Sequence, residues 1–182
     1  MSAPAATAPV LRLARPDEAD AVDALMKAST RELFPSFYDA QQTASSVRYI
    51  ASVDRTLIED GSYFVVEING ELIACGGWSN RNKLYTGSGE ADSRLLNPMT
   101  EPAHVRAMFT RADWTRRGLG ARILEACEAA AKAEGFRRLS LLATLPGVPL
   151  YDRYGFQEVQ HRLVSLPDGI TMDSVEMEKA IG

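Results

Sequence analysis

From Met108 to Ala121 the chain reads MFTRADWTRRGLGA, in which a strand-like stretch falls into a turn bearing two glycines and then opens an amphipathic helix. Few folds accommodate that order. Glycine lets backbone approach a ligand closely, and the amides of a helix's first turn have no intrahelical acceptor, so they face an anion. The helix is readable on its own terms. Leu119, Ile123, Ala126, Cys127 and Ala130 recur at three- and four-residue spacing, with Arg122, Glu125, Glu128 and Lys132 on the other sides. Glu128 and Lys132 form an i,i+4 pair, and Gly135 stands where a left-handed C-terminal cap belongs.

Residue chemistry separates the phosphate-binding motifs that share this outline. A P-loop ends in Gly-Lys-Ser/Thr and has a further glycine five residues earlier, whereas here Ala121 and Arg122 follow Gly120 and position 113 is Asp. A dinucleotide turn needs a third small residue three positions after the second glycine, and Ile123 stands there. What remains is a set of amides that, with Arg116 and Arg117, meets a diphosphate without a metal. Coenzyme A has that chemistry.

Thr115-Arg116-Arg117-Gly118-Leu119-Gly120 resembles the Gln/Arg-x-x-Gly-x-Gly/Ala signature of the GNAT superfamily of acyl-CoA-dependent N-acyltransferases, with Thr in place of Gln/Arg. Downstream, Pro149-Leu150-Tyr151-Asp152-Arg153-Tyr154-Gly155-Phe156 resembles the superfamily's aromatic-Tyr-x-x-x-Gly-Phe segment at its usual distance from the turn. Val10 to Pro16 looks like the first strand, and Asp17 to Ser29 like the first helix, with Val22, Leu25 and Met26 on one face. Tyr63 to Ile68, the Asn69-Gly70 pair and Glu71 to Trp78 read as a β-hairpin.

The resemblance implies an α/β fold whose central twisted sheet has about seven strands, mostly antiparallel, splayed between the fourth and fifth and flanked by about four helices. By resemblance the fourth strand is His104 to Thr110 and the fifth Arg138 to Thr144. It implies that acetyl-CoA is the cosubstrate, with no metal. The pantetheine arm would pair with the backbone of Met108, Phe109 and Thr110, and the diphosphate would lie on Thr115, Arg116, Arg117, Gly118, Leu119, Gly120 and Ala121. Thr144 takes the place where many relatives have Asn, and Tyr151 matches the residue that protonates the leaving thiolate. Homodimers are common among such proteins, so the oligomeric state stays open with a homodimer among the options.

With 182 residues, the chain reads as a flexible tail over 1–9 and a GNAT N-acetyltransferase domain over 10–182. A net charge of −4 and a pI near 5.3 argue against nonspecific nucleic-acid binding. The first residues lack a basic leader with an apolar segment, and no run approaches a membrane span, so neither secretion nor a membrane is expected and the location is read as cytoplasmic. Cys75 and Cys127 read as buried thiols, and His104 and His161 are too isolated to suggest a metal site. Gly87 to Pro102, rich in Gly, Pro and acids, reads as a long loop.

Moving an acetyl group from a thioester to an amine requires a neutral amine, a stabilised oxyanion and a proton for the thiolate. An alkyl ammonium with pKa about 10.4 must lose its proton first, and a thiolate near 8.5 can take one from a tyrosine near 10. Tyr151 is the expected acid, with Tyr154 close by. The base stays unassigned. The fourth strand contains no Glu; His104 titrates in the neutral range when unperturbed, and solvent, Glu67 and Glu71 stand as alternatives. The reading is direct transfer in a ternary complex to a primary amine of a small-molecule or peptide acceptor, without a covalent enzyme intermediate. The competing reading is a noncatalytic acyl-CoA-binding or sensor module.

Overall fold

Residues 7–84 and 94–182 are described by a computed structural model. The first strand, β1 (Val10–Leu13), stops earlier than its sequence suggests, because Pro16 opens a 3-10 turn over Pro16–Glu18. Helix α1 follows at Ala19–Leu33, four residues beyond the expected end at Ser29, and buries Val22, Leu25 and Met26 as anticipated. Two further helices, α2 (Ala40–Tyr49) and α3 (Arg55–Glu59), have no counterpart in the sequence reading. The α2 helix starts with a reciprocal Asp39–Gln42 cap and buries Ser45 and Ser46, so it shows no apolar stripe. With the two helices described below, the described residues hold five α-helices rather than about four.

Strand β2 (Tyr63–Ile68) turns into β3 (Glu71–Ser79) through Asn69 and Gly70, both at positive φ, 51° and 81°. That is the geometry a two-residue hairpin turn demands. β4 (Ala103–Thr110) leads through a 3-10 turn into α4 (Leu119–Ala133), then β5 (Arg138–Thr144), the short helix α5 (Val148–Tyr154), β6 (Gln157–Ser165) and β7 (Thr171–Ala180). Gly135 takes a left-handed φ of 89° just past α4, as its position predicted. The strands form one seven-stranded sheet in the order β1-β2-β3-β4-β5-β7-β6, antiparallel except for β4 with β5.

Helices cover both faces. On one, α4 sets Leu119, Ile123, Leu124, Cys127 and Ala131 against Ile73, Val105, Leu139 and Leu141. On the other, α1 packs Val22, Leu25 and Met26 against Tyr63, Val65 and Cys75. Cys75 and Cys127 are both buried free thiols, and burial pushes both pKa values up, Cys75 to about 12. Of the expected loop over 87–102, residues 87–93 lie outside the described ones. Beyond them Leu95 bridges to Arg81 and Leu96 is buried. Among the described residues no helix is long and apolar enough to cross a membrane.

Two local features open the middle of the sheet. β4 and β5 pair only at Ala103↔Leu139 and His104↔Ser140, after which β4 runs on without β5 beside it. In the same stretch the β3–β4 register slips, so that Ala107 and Met108 together oppose Gly76, and Ala107 adopts a φ of 52°. This is a β-bulge, which bends the strand that carries it.

Candidate active site

The turn before α4 is a concave row of backbone donors. Arg116 and Gly118 take left-handed φ values of 61° and 78°, turning successive amides to one side. From Arg116 to Ala121 no backbone N–H finds an acceptor among the described residues, and the first helical bond runs from Arg122 N to Gly118 O at 3.1 Å. Both arginines are exposed, and the Arg117 guanidinium stacks 4.4 Å from the Trp114 ring centroid. Asp113, the nearby carboxylate, is held by Arg111 at 2.7 Å. Thr115 spends its hydroxyl on Ala112 O at 2.9 Å, so its contribution here is backbone shape. A diphosphate fits these donors: the amides and the helix N-terminus favour an anion.

The second glycine of the turn acts differently from the first. A Cβ on Gly118 would meet nothing within 4 Å, whereas one on Gly120 would lie 2.6 Å from Leu150 Cδ2. Gly120 thus sets how closely α5 approaches the start of α4. The next residue on α5 is Tyr151, 8% exposed, its ring edge-on to Phe156 at 5.8 Å and in one apolar cluster with Leu119, Ile123 and Met108. Burial pushes the Tyr151 phenol pKa up, so it holds its proton at neutral pH. No hydrogen bond engages its hydroxyl among the described residues. Tyr154 differs: its hydroxyl donates to Glu128 Oε2 at 2.8 Å, and Glu128 also binds Lys179 at 3.2 Å.

Ladder alternation fixes which β4 groups face the opening. Arg111 N donates to Ile73 O at 2.9 Å, so Phe109 and Arg111 face β3 while Met108 and Thr110 face away from it. Phe109, expected to offer backbone to the pantetheine, instead turns its amide toward Cys75 and its ring to the α1 side. The Thr110 carbonyl already accepts from Ser29 Oγ at 2.7 Å. Thr144 closes β5, half-buried, immediately before the turn that leads into α5.

The carboxylates weighed as a base are committed elsewhere. Glu67 takes Arg12 at 2.6 Å, and Glu71 lies 3.1 Å from Arg111 on the exposed end of β3. His104 is buried, with Nδ1 2.7 Å from Ser140 Oγ and Nε2 without a partner among the described residues. Burial, reinforced by the Arg106 charge, drives its pKa down to about 4, so it is not the neutral-range titrating group its residue type suggested. Several polar anchors have no signature in the sequence. Arg106 is buried against Asp54 at 3.1 Å, and Tyr38 Oη donates to Asp173 O at 2.7 Å while accepting from Leu145 N at 2.9 Å. Tyr63 Oη donates to Ala107 O at 2.8 Å. Each joins residues far apart in the chain.

The model of the family described as "Acetyltransferase (GNAT) family" matches residues 23–156. Among solved structures, a GCN5-related N-acetyltransferase from Rhodopseudomonas palustris superposes with a TM-score of 0.73 at 19% identity, over 98% of this chain and 99% of that one. The PaiA N-acetyltransferase from Thermoplasma acidophilum, solved with coenzyme A, gives 0.66 at 14% identity over 95% and 99%. N-acetylglutamate synthase from Neisseria gonorrhoeae, complexed with coenzyme A and N-acetyl-glutamate, gives 0.61 at 15% identity over 96% of this chain and 35% of that one. No curated protein matches the sequence.

Proposed function

The chain belongs to the acetyltransferase (GNAT) family, and from that premise we propose that it transfers an acetyl group from acetyl-CoA directly to a primary amine of a small-molecule or peptide acceptor. The observation that carries the reading is the unbroken row of amides from Arg116 to Ala121, unpaired among the described residues and set beside the helix that bears Tyr151.

In this reading the amides of Arg116 to Ala121 hold the diphosphate, with the two exposed arginines at its rim. The outward-facing backbone of Met108 and Thr110 lines up the pantetheine arm along β4. Acetyl-CoA supplies an activated thioester. The acceptor nitrogen, free of its proton, bonds to the carbonyl carbon; the C–S bond breaks, and Tyr151 gives its proton to the departing sulfur. The products are an N-acetyl amine and free coenzyme A, and the proton lost by the amine returns to the tyrosine through solvent. Holding both reactants in one cleft is itself a large part of the rate.

Two measurements test the reading. Calorimetry with acetyl-CoA should show one site per chain, and a screen of primary amines, followed by release of free thiol, should yield at least one acceptor whose N-acetyl product is detected by mass. Binding without thiol release for any amine would instead make the chain an acyl-CoA-binding module.

A further inference from the structure

Gly76 and Gly77 stand side by side on β3, and each leaves room for a side chain from a neighbouring strand. On the α4 face, a Cβ at Gly76 would overlap Met108 Sδ. On the α1 face, a Cβ at Gly77 would collide with Ser62 O and lie 2.7 Å from Tyr63 Cδ2. The Tyr63 ring therefore crosses β3 where β3 has no side chain, and its hydroxyl reaches β4, where it donates to the Ala107 carbonyl at 2.8 Å. Tyr63 is 1% exposed, with the Cys75 thiol beside its hydroxyl. At the far end of this bond Ala107 sits at a φ of 52°, a conformation an alanine keeps only when its surroundings hold it. The next residue, Met108, faces the opening between β4 and β5.

We propose that Tyr63 is a positioning residue: its hydroxyl clamps Ala107 in the left-handed conformation and so aims the Met108 amide at the thioester carbonyl oxygen. The inference rests on the acetyl-transfer reading above and adds to it a part of the machinery two strands away from the cleft. An N–H placed on that oxygen polarises the carbonyl and stabilises the negative charge that develops on it. Loosening the bulge moves this donor without touching the cradle that binds the diphosphate.

The test is difference infrared spectroscopy of bound acetyl-CoA labelled with ¹³C at the acetyl carbonyl, with calorimetry alongside. In the wild type the bound carbonyl stretch should lie below that of free acetyl-CoA. In Tyr63→Phe it should move back toward the free value, with coenzyme affinity within about twofold. Turnover with the best amine from the screen should fall about tenfold, less than for outright loss of an oxyanion donor. Ala107→Gly added to Tyr63→Phe should restore frequency and turnover, since glycine holds positive φ without a clamp. Ala107→Val attacks the other end of the bond, keeps the hydroxyl and should reproduce the loss, so the test survives poor folding of Tyr63→Phe. A wild-type frequency in both single variants, even with lowered melting temperatures, overturns the proposal and leaves the coenzyme reading standing. A wild-type protein that binds no acetyl-CoA overturns both.

Discussion

Burial does opposite things to Tyr151 and His104, at 8% and 6% exposure, and leaves both neutral. For the phenol, desolvation disfavours the anion and raises its pKa, so the proton stays available as pH rises toward the ordinary tyrosine value. Tyr151→Phe should therefore lower turnover by about a hundredfold, the lower end for loss of a general acid, with acetyl-CoA affinity within about twofold. Thiol release and calorimetry check the two halves, and full turnover would move the acid elsewhere. For the imidazole, desolvation disfavours the cation, from 6.5 in the unfolded chain to about 4 in the folded one. Between those values the unfolded state binds more protons, so this histidine removes stability as pH falls through the window and removes no more below it. His104→Gln keeps a side chain that can bond Ser140, and it should flatten the fall in urea midpoint between pH 7 and 4.5. A fall as steep as in the wild type would assign the acid sensitivity to other groups.

At the scale of elements, the two glycines of the cradle separate binding from assembly. Gly118 has a φ of 78° and open space around it, so Gly118→Ala adds strain on the order of 1 kcal/mol and perturbs the amide row alone. It should weaken acetyl-CoA about tenfold, read by calorimetry, with little effect on Tyr151. Gly120→Val instead drives a side chain into Leu150, displacing α5; melting temperature and turnover should both drop. Equal effects of the two on affinity alone would contradict this division. The same elements show what a linear reading can reach. The strand–turn–helix around Gly118, the Asn69-Gly70 hairpin and the Tyr151 segment were legible because each is encoded within a few residues. By contrast α2 buries serines, and β6 is an edge strand exposed along nearly its whole length, so neither carries a hydrophobic period. The Ala107 bulge depends on Tyr63, Gly76 and Gly77 from other strands, and an alanine announces no left-handed backbone. His104 looked able to titrate because its residue type was visible and its burial was not.

Across the whole molecule, the sheet is one continuous structure whose two halves are joined by backbone at only a short parallel contact, Ala103↔Leu139 and His104↔Ser140. Beyond it the two strands are tied through side chains and helices, and Met108 and Thr110 present main chain to the gap. In the proposed binding mode a ligand arm lying in that gap would act as a partial strand, satisfying β4 on its open side, while the Arg116–Ala121 amides would anchor its charged end. Such a ligand binds only the folded chain, so at a hundred times its dissociation constant it should add about 2.7 kcal/mol, a rise on the order of 5–10 °C in melting temperature. Location discriminates more sharply than magnitude. In hydrogen exchange the Met108 amide should be poorly protected in the free protein and gain protection with saturating acetyl-CoA, while Phe109 and Arg111, bonded toward β3, should change little. The amides from Arg116 to Ala121 should slow in parallel, because in the proposed mode they and Met108 would hold opposite ends of one molecule. Slowing at the turn without slowing at Met108 would mean that the diphosphate docks while the arm lies outside the sheet, and the splayed strands would then need another occupant.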